Sequence, residues 1–222
     1  MARRIEVGVV GLGKFGFALA ESVKELGHVA VGVDAEEVMV RRAQTVLDQV
    51  FQADGTDKAA LEQLGFQNLD YVVVSIGKSM EASILVALNL QELGVKNIWV
   101  KAISPEHEKV LKRLGVHFVV FPEQFVARQL AHRMAVPGIL DYLPLGEGVL
   151  VQEIKVTHWA GKTLRDLNLP ATHRVQVVAV KREGETRFSF VPKPDQVLDK
   201  GDTLVLLGHA DDVLEVSNEE RT

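Results

Sequence analysis

Residues 5–34 read IEVGVVGLGKFGFALAESVKELGHVAVGVD, and the order of apolar, glycine and acidic positions in this stretch decides the fold. Ile5, Val7, Val9 and Val10 have the length of a buried strand. They meet Gly11-Leu12-Gly13-Lys14-Phe15-Gly16, a complete G-x-G-x-x-G. Apolar residues then recur at helical spacing, Phe15, Ala18, Leu19, Val23 and Leu26, before Gly27, a residue suited to the left-handed backbone at a helix end. A second apolar strand, 29–33, closes on Asp34. Strand, glycine turn, helix, strand and acid form the dinucleotide-binding fingerprint in its required context. Gly11 permits the tight turn, Gly13 lets a phosphate approach the backbone, and Gly16 lets helix and strand pack closely. The helix start offers unpaired N–H groups and a partial positive charge to that phosphate. Asp34 is placed to accept hydrogen bonds from ribose hydroxyls.

Outward from this stretch the alternation continues. Helices are expected over 36–47, 57–64, 79–93 and 123–134, with another opening at Ser104-Pro105-Glu106, and strands over 50–53, 71–76, 97–102 and 118–121. Thr56 or Asp57, Ser79 and Ser104 are the candidate caps. Six strands alternating with helices predict an α/β fold, a Rossmann-like doubly wound parallel sheet. The helix after Ser79 has almost no polar face, and a helix apolar all round must be buried all round. It is either a core helix or a subunit interface. Val136-Pro137-Gly138 breaks the pattern and Gly146-Glu147-Gly148 does so again. This places a nucleotide-binding domain at 1–138, a linker or edge strand at 139–148, and a small α+β lobe at 149–222. In that lobe strands are expected near 150–156, 175–181, 187–190 and 203–207, a helical turn at 163–167, and a last helix opening at Asp211-Asp212.

The 222 residues include 47% hydrophobic and 25% charged residues, an ordinary globular balance, and no cysteine. Disulfides, thiolate nucleophiles and zinc–thiolate sites are thereby excluded. A net charge of -5 argues against nucleic acid as the main partner. No apolar run approaches the ~18 residues of a membrane span, and Arg3-Arg4 lead straight into a strand, so a cytoplasmic protein without a signal peptide is expected.

Lys14 stands inside the glycine loop, as a solvated surface cation or as one that reaches the second or third phosphate. Asp34 is followed by Ala35-Glu36-Glu37, with no arginine for a 2′-phosphate, which favours ATP, ADP or NAD over NADP. Lys101 and Glu123 fall at the C-terminal ends of strands five and six, the edge where such sheets bind ligands. Neither tyrosine has a lysine four residues on, and the histidines show no metal-binding spacing such as H-E-x-x-H. His158, His173 and His209 are expected to be solvated, and Glu219-Glu220 to be helix-end or tail charges. No hydride-transfer apparatus is recognisable, although an NAD-dependent oxidoreductase with an unrecognised site is the alternative reading.

With these residues in place the chain resembles the KtrA/TrkA-type regulatory subunits of bacterial potassium-uptake systems, built from RCK (regulator of potassium conductance) domains. The resemblance rests on VVGLGKFG (9–16), VGVD (31–34), ADGTD (53–57), YVVVSIG (71–77), NIWVKA (97–102), FPE (121–123), GKTLRDLNLP (161–170) and GDTLVLLG (201–208). It implies a non-catalytic ATP/ADP sensor at the inner face of the membrane. Its homodimers would assemble into an octameric ring that gates a membrane-embedded potassium translocating subunit. Carried over, the resemblance makes Gly11, Gly13 and Gly16, with Lys14 and Phe15, the phosphate loop. Asp34 would hold the ribose, Asp54 and Thr56 flank the adenosine, and Lys101 and Glu123 lie near the phosphates or the dimer seam, Glu123 through a divalent cation. Where relatives often carry arginine this chain has Lys14, a point charge without the planar fork.

Overall fold

The computed structural model describes residues 3–135, 139–143 and 148–221. The chain divides into two compact units, Met1–Glu123 and Gln124–Thr222.

The first unit runs β1 (Glu6–Val10), α1 (Lys14–Glu25), β2 (Val29–Asp34), α2 (Glu37–Gln44), β3 (Gln49–Gln52), α3 (Lys58–Gln63), a 3-10 turn (Phe66–Asn68), β4 (Tyr71–Val74), α4 (Met80–Glu92), β5 (Ile98–Lys101), α5 (Pro105–Arg113) and β6 (Phe118–Val120). The unit border falls within the first residues of α6 (Pro122–Ala135), earlier than the break read from Pro137-Gly138. All six strands are parallel, in the order β3-β2-β1-β4-β5-β6. The order reverses between β1 and β4, which opens a crevice at their carboxyl ends.

Strand residues alternate between two cores. Val7, Val9 and Val73 pack with Phe17 and Ala20 of α1 and Ala43 of α2. Val10, Val72 and Val100 pack with Leu61 of α3, Val86 and Leu90 of α4, and Leu111 of α5. Burial on both faces is why these strands read as continuous apolar runs. Of the two candidate caps for α3, Asp57 does the work, accepting from the amides of Ala59 and Ala60. Ser79 caps α4 and Ser104 caps α5.

α4 departs from the expected all-round burial. Val86, Ala87 and Leu90 are buried, but Leu85 is 45% and Leu88 36% exposed in the single chain. These two leucines share the outward face with Glu81 and Glu92, both exposed.

The second unit holds β7 (Ile139–Leu143), β8 (Val149–Lys155), α7 (Leu164–Leu167), α8 (Leu169–Thr172), β9 (Gln176–Lys181), β10 (Ser189–Phe190), β11 (Thr203–His209) and α9 (Ala210–Arg221). Its five strands form an antiparallel sheet in the order β10-β9-β11-β8-β7. The stretch 139–148, read as linker or edge strand, contains β7, which pairs with β8 at the sheet edge; residues 136–138 and 144–147 lie outside the described residues. Leu150, Ile154, Leu204 and Leu206 make the core with Val213 and Val216 of α9.

Two carboxylates are buried here with their partners. Asp202, 1% exposed, accepts from the Arg182 guanidinium and from the amide of Asp199. Glu220, also 1% exposed, accepts from the amides of Thr157, His158 and Trp159. Glu220, read as a helix-end or tail charge, does stand at the end of α9, but buried: it fastens that end to the turn after β8. No helix among the described residues is long and apolar enough to cross a membrane.

Candidate functional site

The crevice beside the β1/β4 reversal is a cleft of about 460 Å³, within the range of small-molecule sites. Gly11, Gly13, Lys14, Phe15, Asp34, Asp54, Thr56, Lys101 and Glu123 all line it. Residues expected at the site from five separate strand ends (β1, β2, β3, β5 and β6) are therefore brought together by the sheet order. Gly16 does not line the cleft. It sits behind the loop, where a Cβ would lie 1.9 Å from the Gly11 carbonyl oxygen, so its role is the close approach of α1 to the glycine turn. Gly11 itself has φ +96°, a left-handed backbone that side chains disfavour.

Gly13 is the N-cap of α1, offers no side-chain cap, and no acidic residue follows in the first turn. The first amides of a twelve-residue helix thus face the cleft without a competing anion. One amide of the loop is already committed: Leu12 N–H donates to Asp34 Oδ2 at 2.7 Å. Asp34 Oδ1 accepts from the Glu36 amide at 2.9 Å. The carboxylate therefore pins the glycine turn to the end of β2, and each oxygen keeps a lone pair for a ribose hydroxyl. Asp54 Oδ1 accepts from both the amide and the hydroxyl of Thr56, at 2.9 and 2.7 Å, and these bonds hold its pKa below the usual carboxylate value.

In the same cleft Lys101 Nζ lies 2.6 Å from Glu123 Oε1 and 5.7 Å from the Phe15 ring centroid. The Lys101 side chain is only 13% exposed, and its hydrogen bond holds the Glu123 carboxyl below its ordinary pKa. Among the described residues Glu123 belongs to no group of three carboxylate or imidazole ligands. A cation at Glu123 would have to draw its other ligands from elsewhere, nucleotide phosphates being the oxygen donors such ions prefer. Lys14 also lines the cleft, exposed, with no ion pair among the described residues.

Two contributors were missed from the sequence. Lys78, in the loop between β4 and α4, forms an ion pair with Glu36 and so links the β2 and β4 ends at the cleft. Glu36 raises the Lys78 pKa. Its position just past a strand at the order reversal was the available signal. Asn89, buried in α4, donates to the Thr56 carbonyl at 2.9 Å and fixes the Asp54–Thr56 turn. A lone amide on an otherwise apolar helix was its signal.

Comparison with known proteins identifies the family. Residues 7–122 match the TrkA-N domain and residues 151–220 the TrkA-C domain. The chain is similar to Ktr system potassium uptake protein C of Bacillus subtilis, 37% identical with 94% of each chain covered. It is 32% identical to Ktr system potassium uptake protein A of the same organism, with 96% of each covered. Among solved structures, the GsuK RCK domain superposes with a TM-score of 0.52 at 21% identity, covering 96% of this chain and 46% of that one. A GsuK channel bound to NAD gives 0.52 at 20%, covering 99% and 39%. An NAD(P)-binding domain of an exopolyphosphatase-related protein from Archaeoglobus fulgidus gives 0.53 at 19%, covering 60% and 98%. This chain thus spans less than half the length of the GsuK chains, and these likenesses establish the fold alone. Matched by both domain models, and by potassium uptake proteins over nearly its whole length, the chain belongs to the TrkA-N/TrkA-C family of Ktr and Trk system potassium uptake proteins.

Proposed function

We propose that this chain is a non-catalytic nucleotide-sensing subunit that regulates a membrane potassium translocating subunit, with ATP and ADP as the ligands it tells apart. The observation that carries the reading is that one cleft gathers two kinds of group. Asp34 and Asp54 would take the adenosine, which ATP, ADP and NAD share. The α1 amides, Lys14, which has no ion pair among the described residues, and the Lys101–Glu123 pair would take the phosphates. A ligand shifts a conformational equilibrium only through contacts that differ between states. Contacts to the shared adenosine give affinity; a contact to the third phosphate gives state selection. Lys14 is the cation available for it, since Lys101 is held by Glu123. A phosphate that draws Lys101 away would release Glu123, which is the second residue of α6, to a divalent cation or to a neighbouring subunit. That is how nucleotide state would reach the rest of the protein.

The assembly belongs to the same proposal: a homodimer that builds an octameric ring on the cytoplasmic side of the translocating subunit. Support comes from apolar surface. Phe125, Val126, Leu130 and Met134 of α6 are each about half exposed or more, Met134 81%, and Leu85 and Leu88 of α4 are open. Contiguous apolar surface on helices marks an interaction site.

The test is titration of nucleotide-free protein with ATP, ADP and NAD, for the native chain and for Lys14→Ala. Loss of a charge-assisted contact removes about 1.5–3 kcal/mol. ATP affinity should fall roughly tenfold to a hundredfold, with ADP and NAD affected less. Equal losses for ATP and ADP would reject Lys14 as the residue that reads the third phosphate.

A further inference from the structure

The second unit carries a cluster that nucleotide binding does not use. Glu215 and Glu219 stand one turn apart on α9, so their carboxylates leave the helix on one side. The turn between α8 and β9 brings His173 against them. One donor atom from each of the three residues lies within 4.8 Å of the other two, and His173 Nε2 is 3.1 Å from Glu219 Oε1. Both glutamates are exposed; the His173 side chain is 19% exposed.

The second ring nitrogen decides what the first can do. His173 Nδ1 lies 2.8 Å from Thr172 Oγ1, and that hydroxyl donates to the Asn168 carbonyl at 3.1 Å. A hydroxyl has one proton. With that proton directed at Asn168, Oγ1 accepts from Nδ1–H and the Nε2 lone pair faces the carboxylates, open to a metal ion; with it directed at Nδ1, Nε2–H instead donates to Glu219 as an ordinary hydrogen bond. Metal binding selects the first tautomer. An outer hydrogen bond from the far ring nitrogen to an oxygen is the arrangement that orients metal-binding histidines.

We propose that His173, Glu215 and Glu219 form a binding site for a divalent transition-metal ion of the zinc class. Imidazole with two carboxylates suits zinc and its neighbours, whereas magnesium and calcium favour oxygen-only shells. The 3.1 Å Nε2–Oε1 separation fits the edge of a coordination shell with bonds of ~2.0–2.2 Å. The wider of the three separations closes by rotation of exposed glutamate side chains. Two carboxylates and a neutral imidazole bring a charge of about -2 to a dication, and a three-ligand set leaves a position for water. The ion would clip α9 to the turn after α8, closing a loop between residues 46 apart.

The probe is zinc chloride, titrated calorimetrically into metal-stripped, nucleotide-free full-length protein, with magnesium chloride as the comparison. One zinc per chain is expected at micromolar or tighter affinity, without a matching magnesium isotherm. His173→Gln and Glu215→Gln should each weaken zinc by more than about tenfold, and Thr172→Val, which removes the outer hydrogen bond together with the hydroxyl's bond to the Asn168 carbonyl, by about tenfold to a hundredfold. Glu215 is exposed, so Glu215→Gln keeps the fold and decides the matter if His173→Gln does not fold. X-ray absorption at the zinc edge should show one imidazole among oxygen neighbours. Absence of micromolar zinc binding would leave the His173–Glu219 contact an ordinary hydrogen bond and overturn the proposal. Variants that bind like the native chain, or a shell with two imidazoles, would assign the ion to the other six histidines and overturn it equally.

Discussion

Replacing Asp34 with alanine separates two roles that the structure assigns to one carboxylate. Oδ2 accepts from the Leu12 amide at 2.7 Å and Oδ1 from the Glu36 amide at 2.9 Å. Hydrogen bonds to a charged group contribute about 1.5–3 kcal/mol each. Glu36 is exposed, so water replaces its lost acceptor at little cost, whereas Leu12 is fully buried and its amide belongs to the tight glycine turn. The expected loss of stability without nucleotide is therefore about 2–3 kcal/mol, dominated by the Leu12 bond. Asp34→Asn keeps one acceptor oxygen without the charge and should lose about half as much. Urea denaturation of nucleotide-free protein, followed by circular dichroism at fixed m-value, reads this directly. Calorimetry then reads the second role: ATP, ADP and NAD should weaken together, since each presents the same adenosine ribose. An unchanged urea midpoint for Asp34→Ala would refute the claim that this carboxylate holds the glycine turn. A loss confined to ATP would refute its assignment to the ribose.

Two further outcomes follow from α4 and α5. Leu85→Asp should leave the single chain folded, within about 0.5 kcal/mol, because Leu85 is 45% exposed there. Assembly should weaken, and sedimentation showing a stable variant of unchanged mass would remove α4 from the interface. His107 is fully buried, its Nδ1 accepts from the Ile103 amide at 3.3 Å, and its Nε2 has no hydrogen-bond partner among the described residues. Burial pushes its pKa down. Stability should therefore be full above the ordinary imidazole value of about 6.5 and fall as pH drops below it, because the unfolded histidine takes a proton that the folded one refuses. His107→Asn retains an acceptor near Nδ1, so its urea midpoint should fall less between about pH 7.5 and about pH 5.5; an equal fall would place the effect in other groups.

What the sequence determined by itself is whatever a short window can encode. Buried parallel strands read as apolar runs because both faces are covered, so Val9-Val10 and Val72-Val73-Val74 were legible. The G-x-G-x-x-G loop, the caps Ser79 and Ser104, and Asp34 at a strand end are each set by backbone geometry within a few residues. Given six alternating strands, the handedness of their crossovers then leaves few sheet orders, and the cleft lies where the order reverses.

The tertiary structure alone decided which polar groups meet. Asp34 bonds an amide 22 residues away, and Lys101 a carboxylate 22 residues away. Glu220 reaches amides more than 60 residues back, and His173 faces Glu219 across 46. Such pairings depend on sheet order and register, which place distant residues side by side without leaving any periodicity in the chain. Glu220 and Glu219 show the limit most plainly: adjacent acids, alike in sequence, become a buried clamp and an exposed ligand candidate because successive helical positions face about 100° apart. Composition alone cannot say which side of α9 meets the sheet; the packing of Val213 and Val216 onto the strands does.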